Sequence, residues 1–149
     1  MGFLVWLEEG AIGIFIRESL WGYPIVLSSH AVGMAIVMGV VVALNLRVLG
    51  YAKDISILAF DKLFLIGWIG FIINLISGLI LFCNTPTTYF FQGSFILKIA
   101  SIVAGGILMK VVMNSVRGDT SEGLTKLASF ACIACWFGAM ITGRLMAYI

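Results

Sequence analysis

Three ionisable side chains lie within or beside long apolar runs: His30 in "WGYPIVLSSHAVGMA", Lys98 in "FILKIA" and Arg144 in "ITGRLMAYI". His30 is the only histidine in 149 residues. An imidazole nitrogen can ligate haem iron or copper, and a lysine and an arginine can hold anionic groups such as propionates by charge-assisted hydrogen bonds. Met34 and Met38 follow His30 at four-residue steps, and thioethers suit Cu(I). "CIAC", Cys132–Cys135, has the spacing of a redox dithiol. Each feature has a plainer competitor. A helix histidine can simply bond a neighbouring helix, cations can snorkel to an interface, and cysteines can be small packing residues.

The elements that hold these residues are membrane spans. Hydrophobic residues make up 62% of the chain and charged residues 11%, against roughly 45–50% and about 25% in soluble domains. A chain of this length cannot hide so much apolar surface in one globular core. Four apolar stretches are long enough to cross a bilayer, which takes about 20 helical residues. They are Tyr23–Leu46, Leu63–Cys83, Phe95–Val116 and Leu124–Tyr148. The expected fold is therefore all-α: one integral membrane domain over 1–149, a four-transmembrane-helix bundle. Residues 2–18 do not read as a signal peptide, because they carry Glu8, Glu9, Arg17 and Glu18 without an early basic residue. They predict one interfacial amphipathic helix leading into the first span, or else a plain extension of that span.

Charge sets the expected orientation. Arg47, Lys53 and Lys62 surround the first loop, and Lys110, Arg117 and Lys126 flank the third; the second loop, "NTPTTYFFQGS", has no charge. Positive residues stay on the cytoplasmic side. Both termini and the second loop then face the periplasm of a bacterial inner membrane. Trp6, Trp21, Tyr23, Tyr89 and Tyr148 fall at that outer interface, where aromatic belts sit.

Depth brings the three ionisable residues to one layer. His30 lies about seven residues into the first span, roughly 10 Å at 1.5 Å per residue. Lys98 and Arg144 lie near the outer ends of the third and fourth spans. Small residues mark packing faces: Gly67, Gly70, Asn74 and Ser77/Gly78 in the second span, and Lys98, Ser101 and Gly105 in the third. The fourth carries Ala128, Cys132, Cys135, Ala139 and Thr142. Such stripes allow close helix approach or leave room for a flat ligand. Arg144 is about 140° around from Ala139, so it is expected to point toward another protomer.

Other classes fit less well. No Asp or Glu falls inside the four stretches, whereas proton-coupled transporters need a membrane carboxylate. An exporter of the small multidrug type keeps a glutamate in its first helix. The dithiol resembles that of the vitamin K epoxide reductases, but only Cys83 remains as a shuttle partner. The E-R-x-x-x-x-N site of the eicosanoid and glutathione enzymes is absent. With a net charge of +2 and basic residues that bracket spans, no nucleic-acid face is expected.

"WGYPIVLSSHAVGMAIVMG", "NLRVLG", "FILK" and "WFGAMITGRLMAYI" together resemble an uncharacterised family of small bacterial four-helix inner-membrane proteins. Its pattern is W-x-Y-P, H-x-x-G, L-R-x-L-G, a lysine opening helix 3, and G-R-x-x-A-Y. The resemblance covers nearly the whole chain, and is distantly similar to copper-resistance D and b-type cytochrome membrane proteins. Those proteins use several helix histidines, and this chain has one. The aspartate that the family pattern implies stands here as Asn45.

The residues and the resemblance together predict a b-type haem protein for electron transfer or redox sensing. His30 would be an axial ligand and Lys98 and Arg144 would face the propionates. Gly70, Asn74, Ser101 and Gly105 would line the slot. The alternatives are a copper-handling protein with His30 and Met34 as metal ligands, or an accessory subunit of a membrane complex. The haem site would be five-coordinate, use a methionine, or borrow His30 from another copy, so a homo-oligomer or a subunit of a membrane complex is expected.

Overall fold

A computed structural model describes residues 2–51, 54, 56–118, 121–146 and 148, with the side chains of 57, 58 and 117 left aside. Among the described residues the chain is all-α. Seven helices follow in order: α1 Gly2–Glu8, α2 Ala11–Glu18, α3 Gly22–Leu49, α4 Ile57–Phe82, α5 Pro86–Tyr89, α6 Gly93–Arg117 and α7 Glu122–Leu145. Four of them, α3, α4, α6 and α7, are long and apolar enough to cross a membrane. Large apolar side chains such as Leu65, Ile69, Ile72 and Leu79 on α4 stay exposed, as surfaces solvated by lipid do.

The long helices persist because backbone polar groups in lipid must be satisfied within the segment. Pro24 sits in the first turn of α3, where no intrahelical donor is lost. Gly50 ends α3 in the left-handed region at φ 92°. Its N–H and that of Tyr51 return to the carbonyls of Arg47 and Leu46 at 3.1 and 3.0 Å, closing the helix as glycine caps do. Each long helix begins before its apolar stretch. Asp61 and Lys62, read from sequence as loop residues, lie in the second turn of α4, and Lys110 lies well inside α6.

The expected single helix over 2–18 is broken at Glu9–Gly10 into α1 and α2. The break lets both pieces fold onto the bundle's end. Arg17 donates to the carbonyls of Asn84 (2.7 Å) and Glu8 (2.6 Å). Thr87 donates to the Glu8 carboxylate at 2.7 Å. Ile16 is buried, and Gly13 abuts the Cys83 carbonyl so closely that a Cβ there would come within 2.8 Å of it. α1 and α2 thus clasp the segment joining α4 to α6.

The long helices form two tight antiparallel pairs, α3 with α4 and α6 with α7. The pairs join mainly through α3 and α7. A core of Val37, Val41, Leu44, Met109, Met113 and Cys132 fills that junction. α4 and α6 scarcely touch along their length. They meet near the ends joined by the α5 segment, where Phe82 and Phe95 stack at 5.3 Å.

Candidate functional site

His30 is buried at 9% exposure and faces α4. Glycines create the approach. A Cβ on Gly33 would lie 2.8 Å from the Asn74 nitrogen and 2.9 Å from the Gly70 carbonyl. One turn away, the imidazole rests on Gly78, whose Cβ would be 3.2 Å from the ring's Cε1. Nδ1 lies 3.1 Å from the Asn74 carbonyl and 3.0 Å from Ser77 Oγ. The carbonyl can only accept, and the Ser77 hydroxyl itself donates to Ile73 O at 2.7 Å. Both contacts therefore require the proton on Nδ1, which leaves the lone pair on Nε2.

The remaining predicted site residues divide between helix pairs. Gly70 and Asn74 on α4 are covered by α3: a Cβ on Gly70 would come within 2.6 Å of Ile36 Cγ2. Gly105 on α6 lies under Trp136 of α7, with Nε1 2.8 Å from where a Cβ would be. Ser101 faces Gly138, and the Lys98 side chain lies across Gly143, its Nζ 3.3 Å from that glycine's Cβ position. Arg144 is exposed near the end of α7, and Met34 is half-buried on α3.

These placements bear directly on haem. The His30 tautomer suits an axial ligand, whose other ring nitrogen typically donates to a carbonyl. The porphyrin does not fit where the small residues were expected to admit it. Gly70 and Gly105 are filled by Ile36 and Trp136, so both stripes serve helix contact rather than a flat slot. Among the described residues no cluster of three His, Cys, Asp or Glu side chains could hold a metal ion.

Two further polar features carry weaker sequence signals. Asn45 is fully buried in the junction of α3, α6 and α7. Its amide donates to Val41 O at 2.8 Å and lies 3.8 Å from both Met109 Sδ and Cys132 Sγ. The Cys132 thiol points at Gly105 O, 3.5 Å away, so half of the CxxC pair is spent on packing. Asn45 Oδ1, Ser129 Oγ and Trp136 Nε1 are buried without a partner among the described residues. In the sequence Asn45 stands out as a polar residue in an apolar run, at the place where the resemblance implies an aspartate.

The second feature is a cleft of about 730 Å³ between α4 and α6, floored by α3 and α7. Phe64, Trp68 and Phe71 form one wall as two edge-to-face pairs, 6.2 and 5.7 Å apart. The other wall runs along α6 from Ile102 to Asn114 and includes Gly106 and Lys110. Lys110 had looked like a loop-flanking charge. It stands seven residues before the end of α6, roughly 10 Å along the axis. Among the described residues it has no ion-pair partner.

The architecture defines a helical protein with four segments able to span a membrane. No family model matches the sequence, and no curated protein or solved structure matches it significantly.

Proposed function

We propose that this protein binds a lipid-soluble ligand, which enters the cleft between α4 and α6 sideways from the bilayer. The observation that carries this reading is the cleft itself. Its volume of about 730 Å³ lies within the usual range of ligand sites, roughly 300–1,000 Å³. Its walls are apolar and aromatic, with one cation and one amide among them. An intramembrane lysine lining a cavity is by default a functional residue.

The basic residues around the first and third loops support a reading in which the Lys110–Asn114 end of the cleft faces the cytoplasmic side of a bacterial inner membrane. Both termini then lie in the periplasm. The test is photocrosslinking with an acyl probe bearing a diazirine. Adducts are expected on Trp68, Gly106 and Met113 peptides, and their loss is expected in Gly106→Phe. A Cβ on Gly106 meets nothing within 4 Å, so this residue has room for a ring that would fill the cleft. Equal labelling of the two proteins would sink the reading.

A second reading keeps His30 as a ligand to haem b or copper, shared with another copy of the chain. Only the Nδ1–H tautomer favours it. A Soret band in protein from its native membrane that disappears in His30→Ala would support the haem form. Copper in a colourless protein would support the metal form. Protein with neither would fit an accessory subunit whose histidine only fastens α3 to α4.

A further inference from the structure

We infer that the occupant of the cleft is an anionic phospholipid of the leaflet on the side of the first and third loops, with one acyl chain along α6 and its phosphate at Lys110 and Asn114. This rests on the ligand-binding reading above and adds the chemical class and orientation of the ligand.

Depth is the first argument. The α6 wall from Ile102 to Asn114 spans twelve residues, or about 18 Å at 1.5 Å per residue. That is close to one leaflet, since the hydrocarbon core is about 30 Å thick. A spanning helix from a partner would need a groove along the whole bundle. Here the lining stops at Phe71 on α4 and Ile102 on α6, short of the Phe82–Phe95 stack where the two helices meet. The cleft therefore suits a chain that enters from one side and stops near the bilayer centre.

Charge is the second argument. Lys110 and Asn114 are four residues apart, so they share the α6 face that lines the cleft near its loop end. Lys110 is exposed and has no acidic partner among the described residues. A lysine at this depth extends its ammonium toward the interface. There it meets a phosphate, and a neighbouring amide can donate a second hydrogen bond. A zwitterionic headgroup brings its own cation and gains less.

The experiment is native mass spectrometry of the full chain, released from nanodiscs containing equal amounts of phosphatidylglycerol and phosphatidylcholine. Wild-type protein is expected to keep one phosphatidylglycerol. Lys110→Gln is expected to reduce that preference about fivefold, as one lysine near a membrane surface contributes, while still retaining lipid. Gly106→Phe is expected to retain neither lipid, and Gly106→Ala serves as a folded control with the cleft open. Should wild-type protein hold both lipids equally while Gly106→Phe holds none, the headgroup assignment fails and the cleft reading stands. Should Gly106→Phe hold lipid as wild type does, both fail. A dimer that dissociates in Gly106→Phe, with no lipid retained, would overturn the lipid in favour of a second copy. Retention of a quinone instead would overturn the phospholipid class.

Discussion

The contact between Gly33 and α4 gives the sharpest mutational prediction. Replacing Gly33 with alanine puts a methyl 2.8 Å from the Asn74 nitrogen and 2.9 Å from the Gly70 carbonyl. Both are backbone atoms, which cannot rotate away. Ordinary contact begins near 3.4 Å, so α3 and α4 must separate locally by about 0.6 Å (3.4 minus 2.8). Overpacking of this kind costs about 1–3 kcal/mol. Alanine also gains about 1 kcal/mol over glycine in a helix interior, which masks part of the cost. Gly39→Ala on the same helix isolates the steric part, because a Cβ there meets nothing within 4 Å. The helix-propensity gain then cancels between the two variants. Gly33→Ala should be less stable than Gly39→Ala by about 1–3 kcal/mol, read by detergent-driven unfolding followed by circular dichroism. A second signature follows from geometry. Opening by about 0.6 Å takes Nδ1 from 3.1 Å to about 3.7 Å from the Asn74 carbonyl, beyond hydrogen-bond range. The nitrogen resonances of the single histidine should therefore move in Gly33→Ala and stay in Gly39→Ala. If the two variants unfold together, or the histidine signal is unchanged, the close α3–α4 approach is wrong.

Three other outcomes follow from named contacts. Ser77→Ala should destabilise the protein by about 0.6 kcal/mol, the usual size of an interhelical hydrogen bond in membranes, because His30 keeps its bond to the Asn74 carbonyl; detergent-driven unfolding measures it, and a loss well above 2 kcal/mol would show that Ser77 has a larger role. Asn45→Leu should lie within about 1 kcal/mol of wild type, since Asn45 bonds its own helix and two sulfurs while Oδ1 has no partner among the described residues. Asn45→Asp should be far less stable in the same assay at neutral pH, because it buries a charge; equal stability of the two variants would refute the packing. Arg17→Ala removes the donor to Asn84 and Glu8, so the clasp should open and the buried thiol of Cys83 should react faster with a maleimide. Unchanged labelling would mean that the α2–α4 packing around Gly13 holds the clasp without Arg17.

The four spans were legible because composition and length decide them. Observed and expected helices differ by one to six residues at each end, and the differences have a common cause. A helix does not stop where its side chains cease to be apolar, so Asp61 and Glu122 are helical beyond the hydrophobic stretch. The α4 stripe of Gly67, Gly70, Asn74 and Ser77/Gly78 correctly marked a packing face, since it meets Val40, Ile36, Gly33 and His30 of α3. The alternative use of that stripe, room for a flat ligand, has the same sequence signature. Only the neighbouring side chains distinguish the two. The cleft was illegible for a related reason. Spans that are apolar all round give no periodic sign of which face meets lipid and which meets protein, and Lys110, seven residues before the end of α6, reads in sequence like any loop-flanking cation.

The same packing explains why α4 and α6 part, although they are consecutive spans joined by a short segment. Each has already committed its small residues to another neighbour. α4 places its glycines under α3, and α6 places Gly105 under Trp136 and Lys98 over Gly143 of α7. Membrane helices associate closely where small residues let their backbones approach. The residues of α4 and α6 that line the cleft, such as Phe64, Trp68, Phe71, Ile102 and Ile107, are bulky instead and offer no such close backbone approach. Gly106 is the exception, and it faces open space rather than a partner. The clasp made by α1 and α2 fixes the connecting segment, and α4 and α6 meet only beside it, at the Phe82–Phe95 stack. In a bilayer such a wedge does not stay empty, because a void forfeits the dispersion contacts of its lining. Under the proposal above, lipid fills it sideways, and Lys110 on the α6 wall gives that lipid an anionic preference.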